Sequence, residues 1–147
     1  MMIRAPSIVT AALVLTVAAP AGAQSAPPLT ELQIVSVAST NQVERIAADQ
    51  RETVRHHSGP LTLIVREKGI GRARALRLDG HPAVRPSTIR PLCGPAVTAG
   101  ACRPGEAMTG TEITYHLGEL PRGTTVAVQD MSANLPAQTL VAEITID

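Results

Sequence analysis

Short stretches in which apolar and polar residues alternate place the strongest limit on how this chain can fold. Ile113, Tyr115 and Leu117 alternate with polar residues, and a period of two places each set on one face of a β-strand. The same alternation recurs at 61–66 and 140–146, and turn-forming residues separate these stretches. Strands of this kind must cover their apolar faces with a second layer. The sequence therefore predicts an all-β fold.

Asp79-Gly80 is the clearest turn signal in the chain. Leu76 and Leu78 precede it in alternating register. Both turn residues tolerate a positive φ, which the tight turns of β-hairpins require. The partner strand is expected to run through Ala83 and Val84.

Two stretches leave alternatives open. Residues 32–37 are apolar on both faces, so this strand either is buried on both sides or contains a β-bulge. Between 42 and 56, Asn41 followed by Glu44 has the spacing of a helix capping box, which predicts one short helix. Two short strands fit the same residues equally well.

About seven strands, with turn signals every 8 to 12 residues or so, predict a two-sheet β-sandwich. A corner at 120–124 leads into Val126 and Val128, and Ser-Ala-Asn at 132–134 precedes a last strand. On these features, residues 112–146 resemble the last three strands of immunoglobulin-like domains of the fibronectin type III kind. The resemblance implies an immunoglobulin-like architecture and no particular activity.

The first 23 residues predict export. Arg4 precedes an apolar run from Ile8 to Ala19, and Ala21-Gly22-Ala23 supplies the small residues of a cleavage site. The run is shorter than the roughly 20 apolar residues that a membrane span needs, so we expect cleavage and no remaining span. The expected organisation is a signal peptide at 1–23, a disordered lead-in at 24–28 and one sandwich domain at 29–147, located in the periplasm or outside the cell.

Cys93 and Cys102 enclose a loop, 94–101, that is rich in glycine, alanine and proline. In an oxidising compartment an even pair at this spacing predicts a disulfide. Because rigid sandwiches present binding groups on loops, this loop is a candidate contact surface. An alternative hypothesis is that the loop blocks an enzyme's cleft, so that the protein is an exported inhibitor of a hydrolase.

The charges of the whole chain nearly balance, with thirteen basic and twelve acidic residues. Strong attraction to nucleic acid is therefore not expected, and a chain with no Trp, no Phe and one Tyr offers few platforms for stacking bases. The middle of the chain is nevertheless basic. A candidate patch for an anionic envelope polymer or an acidic protein comprises Arg66, Lys68, Arg72, Arg74 and Arg77. The alternative is that these cations pair with the acidic C-terminal segment or face water.

Side chains of the types that bind copper or zinc in the periplasm occur at His56, His57, His81, His116, Met108 and Met131. A metal carrier is thus one hypothesis. Neighbouring residues on a strand point to opposite faces, so we interpret the histidines as solvated surface groups and predict no cofactor.

No nucleophile motif such as G-x-S-x-G is present, and acidic residues such as Asp130 fall near turns and strand ends, where they usually serve solubility. We therefore predict no catalytic residues and no enzyme. The leading hypothesis is an exported non-catalytic sandwich that binds or supports an envelope or extracellular component.

Overall fold

The computed structural model describes residues 26–95 and 99–147 of the chain. These residues form nine strands: β1 Glu31–Ala38, β2 Val43–Arg45, β3 Leu61–Lys68, β4 Ala75–Leu78, β5 His81–Ala83, β6 Ser87–Cys93, β7 Met108–Gly118, β8 Thr125–Met131 and β9 Thr139–Thr145. Within the described ranges, no helix has the length and hydropathy that crossing a bilayer requires. The predicted signal peptide, 1–23, lies outside the described residues.

The strands form two antiparallel sheets. One has five strands in the order β2-β1-β3-β7-β6, and the other has four in the order β5-β4-β8-β9. The predicted all-β two-sheet sandwich is therefore confirmed, with nine strands in place of about seven. The two additional strands are β2 and β6.

The core lies between the sheets and is almost entirely aliphatic. In β3 the alternation of the sequence becomes an alternation of burial, with Leu61, Leu63 and Val65 facing inward. Val126 and Val128 approach from β8 and are fully buried. Burying each such side chain contributes roughly 1.5–3 kcal/mol, so this row of aliphatic residues holds the two layers together. Tyr115 is the one aromatic residue of the core.

Strand β1 contains the bulge that the sequence left as one of two alternatives. The pairing with β3 shifts register between Ile34 and Ser36. Because the bulge adds one residue, Ile34 and Val37 both face the core even though they are three residues apart, and both are buried.

The predicted hairpin at Asp79-Gly80 is confirmed. The two residues have φ values of 49° and 78°, and Leu78 pairs with His81 across the turn. Strand β5 is only three residues long, and it forms one edge of the four-stranded sheet.

The short helix predicted as one alternative at 42–56 does not form. Of the two strands in the other alternative, only β2 is present, and Glu52 makes a single bridge to Thr145. The capping residues bind elsewhere: Asn41 accepts a hydrogen bond from the backbone of Ser58, and Glu44 accepts one from Val54. These contacts fold the segment back into a loop.

Contacts with the sandwich begin before the expected domain boundary at Leu29. The carbonyl of Pro27 accepts a hydrogen bond from Ile70, and Pro28 forms a parallel bridge with the same residue. Leu29 is fully buried, and its amide donates to Ser132 Oγ at 3.0 Å. Residues 24 and 25 of the expected lead-in lie outside the described residues.

Candidate functional site

One side of the sandwich is open between β5 and β6. The four-stranded sheet ends there at the short β5, whereas the five-stranded sheet continues into β6. The result is a cleft of about 380 Å³. Its lining includes Leu76, Val84, Ile89, Ile113 and Tyr115.

Ile89 shows that this part of the core is incompletely covered. It pairs with Ile113 of β7, so it points toward the space between the sheets. Ile113 is fully buried, but Ile89 remains 55% exposed and the nearby Val84 93% exposed. Exposed apolar groups clustered in a concave surface are typical of a binding site.

In the described part of the chain, the backbone of β6 between Pro86 and Pro91 is also unpaired along its outer edge. His116 donates to the carbonyl of Pro86 at 2.9 Å, and in an antiparallel ladder the residues that exchange hydrogen bonds with the neighbouring strand alternate. The register then points the N–H and C=O groups of Thr88 toward β7. Those of Ser87 and Ile89 point away from the sheet.

Prolines limit the open edge to a few residues. Pro86 precedes β6 and Pro91 lies within it. Proline has no N–H to donate, and natural proteins use it on edge strands to discourage unwanted sheet pairing. The donors available on this edge are therefore the amides of Ser87 and Ile89.

The rim of the cleft is cationic. Residues 81–93 include Arg85 and Arg90 but no aspartate or glutamate. Arg90 pairs with Glu112 at 2.7 Å on the outer face of the sheet. Arg85 donates to the carbonyls of Leu117 and Val84, and no carboxylate lies within ion-pair distance of it in the described part of the chain. The open edge therefore presents positive charge beside apolar surface.

An ionic network joins the two sheets beside the cleft. Arg74 lines the cleft, and its Nη2 and Nε donate to the two carboxylate oxygens of Glu67 at 2.6 and 2.9 Å. Its Nε lies 3.2 Å from Asp130 Oδ2, and its Nη2 donates to Thr111 Oγ1 at 3.1 Å. Glu67 is on β3 and Asp130 on β8, and both are fully buried. One guanidinium group thus links carboxylates from opposite sheets.

The pKa values of the two carboxyl groups in this network are shifted in opposite directions. Burial raises the pKa of Glu67, but the hydrogen bonds from Arg74 and Thr111 outweigh it and hold that pKa below its usual range. Burial also raises the pKa of Asp130, and the hydrogen bond and negative charge of Glu67 raise it further, against the backbone amide of Ala73. Like-charged neighbours oppose the ionisation of both groups, and Asp130 is the one whose pKa is raised.

The interpretation of Asp130 as a solubilising residue is therefore wrong. Its position near the end of β8 suggested exposure, but its side chain points inward in register with Val126 and Val128. The sequence contains a signal for this inward position, because Asp130 follows Val126 and Val128 at every second residue of β8.

A second buried network fixes the loop after β2. Glu44 accepts hydrogen bonds from the backbone amides of Val54 and Arg55 at 2.9 and 3.1 Å. Its Oε2 lies 3.3 Å from His57 Nε2, and His57 Nδ1 lies 2.9 Å from Ser39 Oγ. Burial raises the pKa of Glu44, but these hydrogen bonds outweigh it and lower the pKa overall.

The serine and the glutamate of this network also bind groups other than His57. The hydroxyl of Ser39 is 2.6 Å from Asn41 Oδ1 and donates to it, so its proton is directed away from His57. The carboxylate of Glu44 is already bound by loop amides. The network therefore anchors the loop, and the interpretation of His57 as a surface histidine is wrong because its side chain is fully buried.

The five cations of the sequence-predicted patch do not lie on one surface. Arg66 and Lys68 point to the outer face of the five-stranded sheet, and Arg77 points to the outer face of the other sheet. Arg74 is turned inward, and Arg72 lies in the turn before β4 beside a methionine sulfur. Strand alternation and the separation of the two sheets divide the patch.

The candidate metal ligands are also dispersed. His56, His81, His116 and Met108 are exposed, His57 is buried, and Met131 ends β8. Over residues 26–95 and 99–147, no group of three or more histidine, cysteine, aspartate or glutamate side chains is placed to hold a metal ion.

The predicted disulfide joins Cys93 to Cys102. Cys93 is the last residue of β6, and its amide donates to the carbonyl of Gly100. The loop thus continues directly from the open edge strand. Residues 96–98, at the centre of the loop, lie outside the described residues.

Taken together, the fold and the cleft define a disulfide-bonded two-sheet β-sandwich with one open side. The chain belongs to the family of the DUF4879 domain, described as a domain of unknown function, whose model matches residues 19–146. Neither the curated proteins nor the solved structures contain a match to the chain.

Proposed function

We propose that this protein is an exported, non-catalytic binding domain that attaches to an envelope or extracellular polypeptide through the cleft between β5 and β6. The observation that carries the proposal is the exposure of Ile89, whose side chain points into the sandwich and yet remains uncovered. Leaving such a group in water costs free energy that a partner recovers on binding.

Export is part of the proposal. The signal-like pattern of residues 1–23 supports it, and a disulfide is compatible with an oxidising compartment. The finer immunoglobulin-like assignment of residues 112–146 is also part of the proposal, and the three consecutive strands β7 to β9 support it.

The disulfide loop supports the second candidate, an inhibitor of a hydrolase. The loop extends from the same strand that borders the cleft, so an enzyme bound at the β6 edge would also meet the loop. Loss of the hydrolase's activity on addition of the domain distinguishes this candidate from a purely supporting role.

The test is capture of partners from an envelope fraction and an extracellular fraction, with the immobilised mature domain as bait. The cleft variant is V84D/I89D, and the matched control is V54D/V141D, which charges two exposed valines elsewhere on the sandwich. We expect a protein identified by mass spectrometry that the wild type and the control retain and the cleft variant loses. Equal retention by the cleft variant would remove the cleft from the proposal.

A further inference from the structure

We infer that the cleft binds an extended acidic segment of its partner, which adds as a strand to the open edge of β6. This inference rests on the proposed function and specifies the chemistry of the ligand. Its main observation is the coincidence of three features at one place: unpaired backbone groups, an uncovered apolar cleft and a cationic rim.

The backbone groups define the mode of binding. The amides and carbonyls of Ser87 and Ile89 point away from β7, and an incoming strand satisfies such groups by main-chain hydrogen bonds. Pro86 and Pro91 bracket these residues, so the added strand is paired over a short span.

The two faces of β6 define the side chains of the ligand. Ser87 and Ile89 face the cleft, whereas Thr88 and Arg90 face outward. Because side chains on an added strand alternate in the same way, apolar residues enter the cleft at every second position. The residues between them lie on the outer face beside Arg90, which is already paired with Glu112. The cation that attracts a ligand carboxylate is therefore Arg85, which lines the cleft and, among the described residues, donates only to backbone carbonyls.

The charge of the rim argues against a second copy of this chain as the occupant. Pairing two β6 edges about a two-fold axis brings together two copies of a stretch that carries Arg85 and Arg90 and no acidic residue, and the repulsion of like charges disfavours that approach. An acidic segment instead complements a stretch, 81–93, that contains no acidic residue.

The probe is a nine-residue synthetic peptide that alternates valine with glutamate, compared with a matched peptide that alternates valine with lysine. Binding to the mature domain is followed by ¹⁵N–¹H NMR titration. We expect the glutamate peptide to bind more tightly by on the order of tenfold at low salt and to weaken as salt is raised. The amides of Ser87 and Ile89 become protected from hydrogen exchange in the complex.

Two variants of one position test the strand addition. I89P removes the outward-facing amide, whereas I89V keeps the amide and most of the apolar side chain. We expect I89V to bind the glutamate peptide within about threefold of the wild type and I89P to lose most of the affinity. Unchanged chemical shifts around Val37, a fully buried residue of β1 that is separated from β6 by two strands, establish that each variant keeps its fold.

Four results would overturn the inference. They are equal binding of the two peptides, full affinity in I89P, bound-state protection confined to residues outside β6, or concentration-dependent self-association of the wild type that I89P abolishes. If any of these is found while V84D/I89D still loses the captured envelope partner, the strand inference fails and the proposed function stands.

Discussion

Removal of the Arg74 side-chain charge is expected to destabilise the sandwich more than any exposed charge change. Glu67 and Asp130 are fully buried, and Arg74 supplies two of the hydrogen bonds that Glu67 accepts. Deleting one partner of a buried ionic pair costs roughly 3–5 kcal/mol, because the remaining charge is uncompensated. The Arg74 side chain is 23% exposed, so water screens part of the interaction and we expect R74M to lose about 3 kcal/mol of unfolding free energy.

Urea unfolding of the mature domain, followed by circular dichroism, measures this loss. With a urea dependence of about 2 kcal/mol per molar, the midpoint falls by about 1.5 M. The matched control is R77M, which changes an exposed arginine on the outer face of β4 and is expected to stay within about 0.5 kcal/mol of the wild type.

A rescue variant separates the buried charge from lost packing. In R74M/E67Q/D130N the two carboxyl groups are replaced by neutral amides, so no uncompensated charge remains. We expect this variant to recover more than half of the lost free energy. The proposed role of Arg74 is contradicted if R74M loses less than about 1 kcal/mol of unfolding free energy, if R77M loses as much as R74M, or if the rescue variant recovers nothing.

Three further predictions concern stability. In G110A the new methyl group would meet the backbone of β3 at about 2.0 Å, so we expect a loss of roughly 1–3 kcal/mol by urea unfolding, whereas G100A, which has open space, is the control and equal losses would contradict the close approach. C93S/C102S removes the covalent closure of a short loop and should lose about 2.5–3 kcal/mol of unfolding free energy. A reductant should lower the urea midpoint of the wild type and leave that of the variant unchanged. The three glutamates with lowered pKa are Glu44, Glu67 and Glu112. The stability they contribute is present above about pH 4.3 and is lost as the pH falls further. A urea midpoint that does not change between about pH 5 and about pH 3 would contradict this.

Asp130 affects the pH dependence of the unfolding free energy in the opposite direction to the three glutamates. Its raised pKa means that its favourable contribution is present below the usual aspartate pKa of about 3.9 and is lost as the pH rises through the raised value. In D130N the amide keeps a donor toward Glu67 and does not titrate. We expect the unfolding free energy of D130N to gain on the wild type as the pH rises, and a constant difference between the two proteins from pH 4 to pH 8 would contradict the assignment.

Local patterns in the sequence are sufficient to predict much of the fold. The alternation in β3, the Asp79-Gly80 turn and the bulge-compatible pattern of β1 each depend on neighbours a few residues apart, so the sequence was sufficient to predict them. Strand β6 was missed because Ser87 to Pro91 lacks an apolar alternation: the cleft leaves both of its faces exposed, and Pro91 is atypical of a strand interior. The same features that hid this strand make it the candidate site.

The buried polar networks could not be predicted because their members come from distant parts of the chain. His57 is covered by Glu44 and Ser39, and Asp130 meets Glu67 from the opposite sheet. The alternation of Asp130 with Val126 and Val128 is a local signal of burial, but it does not identify Glu67 as the partner. The five cations predicted as one patch do not lie on one surface, because residues that are neighbours in the sequence between 66 and 77 are distributed over both sheets.

The open edge of β6 can be tested most directly by amide hydrogen exchange in the free, monomeric mature domain. An open edge predicts fast exchange at Ser87 and Ile89 and slower exchange at Thr88 and Arg90, whose amides point toward β7. Protection of Ser87 and Ile89 equal to that of their neighbours, with no partner present, would show that the edge is already covered and would contradict the binding site proposed for this protein.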